Sequence, residues 1–160
     1  MVLRPVRPDD AATLRDIFSD PTVSRWWGDP GDAVADAMLD DEENKHYLIE
    51  VDGNAVGMIQ SYEESDAMYR HAGIDIALRE SWQGRGIGPD AIRTLARHLF
   101  DDGGHHRMTI DPAAHNTNAI KAYERVGFRA VGIMRKYERA QDGTWHDGLL
   151  MDLLADELRE

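Results

Sequence analysis

The sequence predicts a mixed α/β fold in which helices flank a central, mostly antiparallel sheet. Two observations indicate this class. Strand-like and helix-like runs alternate along the whole chain, with strands before helices and then strand, helix, strand near the end. The chain has 160 residues, close to the modal length of one domain and enough for a self-sufficient core. We therefore expect a single domain over residues 1–160.

The amino-terminal part predicts a strand and two helices. Val2 to Val6 reads as a strand, and Asp9 is expected to cap a helix that runs to about Ser19. Pro21 should end that helix, because proline cannot continue it. A second helical stretch covers Val23 to Trp27.

The next segment predicts a further helix and a β-hairpin. Gly28 to Gly31 breaks the chain before an acidic helix over about Asp32 to Asp41. Two apolar runs then follow, His46 to Val51 and Ala55 to Tyr62. The residues between them, Asp52-Gly53-Asn54, are typical of a tight hairpin turn.

The second half alternates strands and helices, and Gly127 should stop the last helix. In chain order the predicted elements are strand Gly73–Leu78, helix Pro89–Phe100, strand Arg107–Ile110, helix Asn116–Val126 and strands Phe128–Met134 and Leu149–Leu154.

Composition excludes some classes of function. The chain has no cysteine, so it has neither a disulfide nor a thiol nucleophile. Its net charge of −12 argues against nucleic acid as a partner and favours cationic ligands. Residues 1–20 contain no apolar signal core, and no run approaches a membrane span, so we expect a cytoplasmic monomer or homodimer.

The seven histidines do not predict a metal site. No His-x-x-x-His pair with an acid is present. His105-His106 follows Gly103-Gly104 and is expected in a surface turn.

A glycine-rich segment indicates an anion site. Residues 83–88 read Gln-Gly-Arg-Gly-Ile-Gly and lead into the predicted helix at Pro89. Unpaired amides and the helix dipole favour phosphate there, and glycines allow a close approach. Residues 86–91 also match the dinucleotide pattern G-x-G-x-x-A, but no strand ends directly before them and no ribose-binding acid follows.

The pattern Gln83-x-x-Gly86-x-Gly88 resembles the pyrophosphate loop of the GCN5-related N-acetyltransferases. The block from Asn116 to Phe128, with Tyr123 and Gly127-Phe128, is similar to a second block of that superfamily. The resemblance implies the acetyltransferase fold and acetyl-CoA as co-substrate. It assigns the following residues to cofactor binding: Ile76, Ala77, Gln83, Gly84, Arg85, Gly86, Ile87, Gly88, Asn116, Asn118 and Tyr123.

Four further segments, spread over roughly residues 3–135, resemble the aminoglycoside 6'-N-acetyltransferases. They are Ser24–Gly28, Gly57–Tyr62, Gly73–Asp75 and Thr109–Pro112. The connection from Tyr62 to Gly73 is shorter than in that family. The acidic residues that the family carries in this loop therefore have no fixed positions here, and Glu63, Glu64 and Asp66 are the candidates for them.

The resemblance also implies the catalytic residues. The attacking amine must be neutral, and Asp75 matches the family's proposed base, acting directly or through water. Tyr123 matches the general acid that protonates the coenzyme A thiolate. Backbone amides near Ile76 or Ala77 are expected to hold the acetyl oxygen.

Acids and aromatic residues are the expected substrate-binding groups, together with one amide, Gln60, as a candidate partner for a substrate hydroxyl. They are Trp26, Gln60, Tyr62, Asp75 and Asp111, with Trp27 turned away from Trp26 because adjacent helical residues point in different directions.

The leading interpretation is an acetyl-CoA-dependent enzyme that acetylates the 6'-amine of aminoglycoside antibiotics and so confers resistance. The alternatives are acetylation of another amine (a lysine-type siderophore precursor, a polyamine or a protein N-terminus), a non-catalytic coenzyme A-binding domain, or a dinucleotide-binding enzyme.

Overall fold

The computed structural model describes residues 1–28, 38, 39, 41 and 43–160. Seven strands form one sheet in the order β1-β2-β3-β4-β5-β7-β6. The strands are β1 (Val2–Pro5), β2 (Lys45–Val51), β3 (Asn54–Glu64), β4 (His71–Leu78), β5 (Arg107–Ile110), β6 (Arg129–Arg139) and β7 (Trp145–Leu154). The named helices are α1 (Ala11–Phe18), α2 (Pro21–Trp27), α3 (Ile87–Arg97) and α4 (Thr117–Val126).

Strand pairing confirms the predicted class of mixed, mostly antiparallel sheet. The pairs β1–β2, β2–β3, β5–β7 and β6–β7 are antiparallel. The pair β4–β5 is parallel, with Ala72 opposite Met108 and Gly73 opposite Thr109. A parallel pair needs a crossover connection, and here α3 lies between the two strands in the chain.

The predicted hairpin is confirmed. Val51 pairs with Asn54, so the loop consists of Asp52 and Gly53. Both have positive φ, 50° and 78°, as a type I′ turn requires. The sequence Asp-Gly therefore selects the turn that joins β2 to β3.

The chain divides into two compact units, the first formed by residues 1–62 and 76–91. Its core is built from apolar side chains of α1, α2 and three strands: Leu14, Ile17, Phe18, Val23, Leu48, Met58 and Ala77. Trp27 and Met38 pack against this core. The Trp27 ring meets Phe18 edge-on at 5.4 Å.

The start of α1 differs from the prediction. Asp9 does not cap the helix: a 3₁₀ turn over Pro8–Asp10 comes first, and α1 begins at Ala11. Asp10 is drawn away from the helix end because its carboxylate accepts two hydrogen bonds from the Arg4 guanidinium, at 2.8 and 2.9 Å. The following helix also starts early, at Pro21, with the Asp20 side chain accepting from the Thr22 amide at 2.9 Å.

The second unit comprises residues 63–75 and 92–160. Its buried apolar residues include Met108, Ile110, Tyr123, Val126, Phe128, Met151 and Leu153. Gly127 ends α4 with φ at 123°, as predicted for a stop signal.

The last two strands are longer than predicted. β6 continues to Arg139 and β7 begins at Trp145, whereas the apolar pattern indicated Met134 and Leu149. β6 is an edge strand and is exposed along most of its length. Charged residues there are compatible with a strand but do not alternate with apolar ones, so the pattern underestimates its length.

Two further predictions concern loops. The acidic helix predicted over residues 32–41 falls outside the described residues except for Met38, Leu39 and Asp41. His105 is not in a surface turn: it is only 3% exposed, and its Nε2 lies 2.9 Å from Glu63 Oε2.

Within the described ranges no helix is long and apolar enough to cross a membrane.

Candidate active site

The glycine-rich segment forms an exposed turn at the start of α3. Gly84 and Gly86 have φ values of 72° and 83°, which favour glycine. A Cβ built on either would meet nothing within 4 Å, so the space beside the turn is open. The Gly86 carbonyl accepts the Asp90 amide at 3.1 Å and closes the first turn of α3. No helical turn precedes these first amides, so they have no carbonyl partner within the helix. Such amides can bind a phosphate.

Two side chains fix the shape of this turn. Gln83 Nε2 donates to the Leu78 carbonyl at 2.9 Å and ties the turn to the end of β4. The Arg85 guanidinium lies 5.0 Å from the Trp82 ring centroid, a cation–π distance. Ile87 and Gly88 are partly buried at the first turn of α3. Ile76 and Ala77 follow Asp75 on β4, and Ala77 is buried in the core of the first unit.

Asp75 and Asp111 occupy matching positions on neighbouring parallel strands. The register places Gly73 opposite Thr109. Asp75 lies two residues after Gly73 on β4, and Asp111 lies two residues after Thr109, just past the end of β5. Because side chains two apart on a strand share a face, this register directs the two carboxylates to the same face of the sheet.

Tyr123 of α4 interacts electrostatically with both carboxylates. It is 8% exposed, and its ring centroid is 6.2 Å from that of Phe128. Burial raises the pKa of the Tyr123 phenol, and the negative charges of Asp75 and Asp111 raise it further. The phenol therefore stays protonated at neutral pH and can act as a hydrogen-bond donor.

Asn116 caps α4, as the sequence predicts: its Oδ1 accepts the Ala119 amide at 3.2 Å. Asn118 is exposed in the first turn of the same helix. Both residues thus lie on the helix that carries Tyr123.

The aromatic and amide residues predicted to bind the amine belong to the first unit. Trp26 and Trp27 do point differently: Trp27 packs on the core, while the Arg25 guanidinium lies 5.1 Å from the Trp26 ring centroid. Gln60 and Tyr62 are half-buried on β3, and Ser61 between them is 1% exposed. Gln60 and Tyr62 therefore share one face of the strand, as expected from alternation.

The acidic residues after β3 take part in local contacts. Glu63 binds His105, Glu64 accepts the Asp66 amide at 2.9 Å, and Asp66 accepts the Met68 amide at 2.8 Å. Among the described residues, no group of three His, Cys, Asp or Glu side chains is placed to hold a metal ion.

Sequence reasoning missed one residue at this site. Tyr137 of β6 donates its hydroxyl to Asp111 Oδ2 at 2.5 Å. It lies beyond the predicted end of the strand and 26 residues from Asp111. No local pattern marks such a contact, because it depends on an irregularity within β6.

The structure thus has a mixed sheet with one parallel pair, β4–β5, a glycine-rich turn at the start of α3 and two acids that act on Tyr123. Residues 1–129 match the family described as acetyltransferase (GNAT) domain. The chain therefore belongs to the GNAT acetyltransferase family and is an N-acetyltransferase with acetyl-CoA as co-substrate. This assignment excludes the dinucleotide interpretation of residues 86–91.

Named relatives and solved structures agree with the family. The chain is 29% identical over 153 residues to aminoglycoside N(6')-acetyltransferase type 1 of Klebsiella pneumoniae, covering 82% of this chain and 75% of that protein. It is 23% identical over 137 residues to spermidine N(1)-acetyltransferase of Escherichia coli strain K12, covering 81% and 73%. Aminoglycoside acetyltransferase AAC(6')-Ib, solved with coenzyme A and kanamycin, superposes with a TM-score of 0.79 at 26% identity over 98% and 95% of the two chains.

Proposed function

We propose that this N-acetyltransferase transfers acetyl from acetyl-CoA to the 6'-amine of aminoglycosides and acts as a single acetyltransferase domain. The observation that carries the proposal is the β4–β5 register, which places Asp75 and Asp111 at matching positions, together with the electrostatic effect of both acids on the buried Tyr123 phenol. Two carboxylates at matching positions on neighbouring strands suit a substrate with more than one ammonium, and the chain's net charge of −12 favours approach of a polycation. The aminoglycoside acetyltransferase relative supports this choice of amine.

The residues predicted to bind the cofactor each have a defined part in the proposal. The amides and glycines of the turn at residues 83–88 hold the pyrophosphate, and Asn116 and Asn118 bind the pantetheine arm. Acetyl-CoA supplies the thioester that the amine attacks. An amide near Ile76 or Ala77 donates to the acetyl oxygen, where charge develops.

Asp75 binds the attacking ammonium and accepts its proton, directly or through one water. Asp111 binds a second ammonium of the substrate. Tyr123, kept protonated by burial, donates to the leaving sulfur. A bound cation between the two aspartates offsets their charge, which lowers the pKa of the Tyr123 phenol and makes proton donation easier.

The test is turnover of purified protein with acetyl-CoA, followed by release of free thiol, against a panel of amines. Kanamycin A, which carries a 6'-amine, should be acetylated at that nitrogen by mass spectrometry. Paromomycin, which carries a 6'-hydroxyl, should not react at that position. Cells that express the protein should tolerate more kanamycin than cells that express the Tyr123→Phe variant.

A second candidate is a polyamine acetyltransferase, favoured by the similarity to spermidine N(1)-acetyltransferase. Spermidine is also a polycation, so the two carboxylates fit it as well. Brisk turnover of spermidine without turnover of kanamycin A would establish this alternative. A lysine derivative or peptide amine in the same panel tests the remaining amines, and absence of any turnover with intact coenzyme A binding would indicate a non-catalytic binding domain.

A further inference from the structure

Tyr137 contacts an acid of the proposed amine site although it lies on the edge strand β6. Its hydroxyl donates to Asp111 Oδ2 at 2.5 Å. Asp111 in turn acts on Tyr123, whose pKa it helps to raise. One carboxylate therefore interacts with two tyrosines of the second unit. A carboxylate has about four acceptor positions, so a bond at Oδ2 leaves capacity for an ammonium.

A two-residue irregularity in β6 directs Tyr137 toward Asp111. Met134 pairs with Gly148 and Glu138 pairs with His146, so residues 135–137 lie opposite the single residue Asp147. Lys136 adopts a positive φ of 50°, and its amide donates to Asp147 Oδ1 at 2.8 Å. Bulges of this kind change the direction of a side chain, and a non-glycine residue at positive φ persists only where its surroundings hold it.

The Tyr137 ring packs against Gly148 of β7. A Cβ built on Gly148 would lie 2.8 Å from Tyr137 Cδ1, so the absence of a side chain at Gly148 makes room for the ring. Gly148 also bridges to Ala113, and the Leu149 amide donates to the Pro112 carbonyl at 2.8 Å. The same short stretch of β7 thus supports Tyr137 and the segment that follows Asp111.

From these contacts we infer that Tyr137 is a positioning residue that orients Asp111 for the second ammonium of the substrate and so contributes to selection of polycationic amines. The inference rests on the proposed function. A carboxylate held by a phenol on one oxygen loses less conformational freedom when a cation binds.

The decisive variant is Tyr137→Phe, which keeps the ring on Gly148 and removes the donor. With kanamycin A, KM should rise roughly three- to tenfold while kcat changes less than about twofold, because a contact outside the reacting centre is largely the same in ground and transition states. With 6-amino-6-deoxyglucose, which has a single amine, KM should not change. Tyr69→Phe is the matched control, because Tyr69 is also exposed on the second unit.

A double variant separates positioning from a general structural effect. In the Asp111→Asn background, Tyr137→Phe should have no further effect on KM, because the group it orients has lost its charge. Gly148→Ala displaces the ring by crowding and should reproduce the KM increase without touching the hydroxyl. Equal effects on both substrates, or additive effects in the double variant, would overturn the inference.

Failure of the inference is distinguishable from failure of the proposed function. If wild type acetylates kanamycin A and Tyr137→Phe matches it, only the role of Tyr137 is wrong. If wild type acetylates no amine, the proposed function is wrong. The role of Tyr137 is then tested by measuring the affinity of each variant for kanamycin A by calorimetry. Weaker binding to Tyr137→Phe than to Tyr69→Phe would support it, and equal binding would overturn it.

Discussion

Gly127 and Glu157 approach each other so closely that the backbone leaves no room for a side chain. A Cβ on Gly127 would lie 2.4 Å from the Glu157 carbonyl oxygen. The same glycine has φ at 123°, a conformation that side-chain-bearing residues rarely adopt. The close approach of the Glu157 carbonyl and the positive φ both require glycine at position 127, the residue that ends α4.

Gly127→Ala should therefore destabilise the protein by about 2–4 kcal/mol, as strain and overpacking add. The measurement is urea unfolding followed by circular dichroism. Gly132→Ala on β6 is the control, because a Cβ there meets nothing within 4 Å. Similar midpoints for the two variants would show that the chain end near Glu157 moves aside at little cost.

The ion pair between Arg4 and Asp10 should make stability depend on acid pH. Arg4 lowers the pKa of the Asp10 carboxyl below its ordinary value of 3.8, so the native state keeps the charge that the unfolded chain loses. The resulting stability is present above pH 3.8 and disappears as pH falls through the lower, folded pKa.

Asp10→Asn should cost about 1–3 kcal/mol at pH 7, and its difference from wild type should shrink below about pH 4. Chemical unfolding across this pH range measures both effects. Asp9→Asn is the control. Asp9 is the exposed neighbour of Asp10, so this substitution should change stability little. A pH-independent difference for Asp10→Asn would mean that packing, rather than charge, accounts for the loss.

Tyr123→Phe removes only the proposed proton donor. We expect kcat to fall about 10²- to 10⁴-fold with a modest change in KM, as is typical for loss of general acid catalysis. Since the pKa of Tyr123 is raised, the wild-type kcat should show no alkaline decline below about pH 10 from this group. Steady-state kinetics with kanamycin A across pH gives both values. A loss of less than threefold would mean that the sulfur leaves without this phenol.

Much of the fold and part of the site could be predicted because the signals are local. Asp52-Gly53 determines its hairpin through two positive φ angles, and the glycines before α3 precede a strongly periodic helix. Asp75 and Asp111 could be identified as site candidates because each lies in a short contiguous segment, Gly73–Asp75 and Thr109–Pro112, that resembles the family.

Features that depend on distant partners could not be predicted. The cap predicted at Asp9 is replaced by a 3₁₀ turn in which Asp10 binds Arg4, a residue of β1. Tyr137 reaches Asp111 only because β6 contains two extra residues opposite Asp147. His105 is buried against Glu63, 42 residues away, which nothing in the Gly-Gly-His-His segment indicates. The order of charged residues along the chain does not show which of them form contacts in the fold.

The cofactor turn yields a prediction that separates charge from backbone shape. Gly86→Asp places a negative charge beside the proposed pyrophosphate and should weaken acetyl-CoA binding roughly tenfold or more. Gly86→Asn is the matched control, because asparagine is of similar size, tolerates positive φ and adds no charge. Isothermal titration calorimetry measures Kd, with circular dichroism to confirm folding. Equal Kd values for the two variants would contradict a phosphate at this turn.

Asp111 should contribute to substrate binding more than to the chemical step. Asp111→Asn keeps the shape and the capacity to accept from Tyr137 but removes the charge, so KM for kanamycin A should rise roughly tenfold with a smaller change in kcat. Added salt should raise the wild-type KM through screening and should affect the variant less. Kinetics at low and high ionic strength test this directly, with KM for acetyl-CoA as the internal control. If kcat fell as strongly as KM rose, Asp111 would act on the reacting amine itself, and the roles proposed for Asp75 and Asp111 would have to be exchanged.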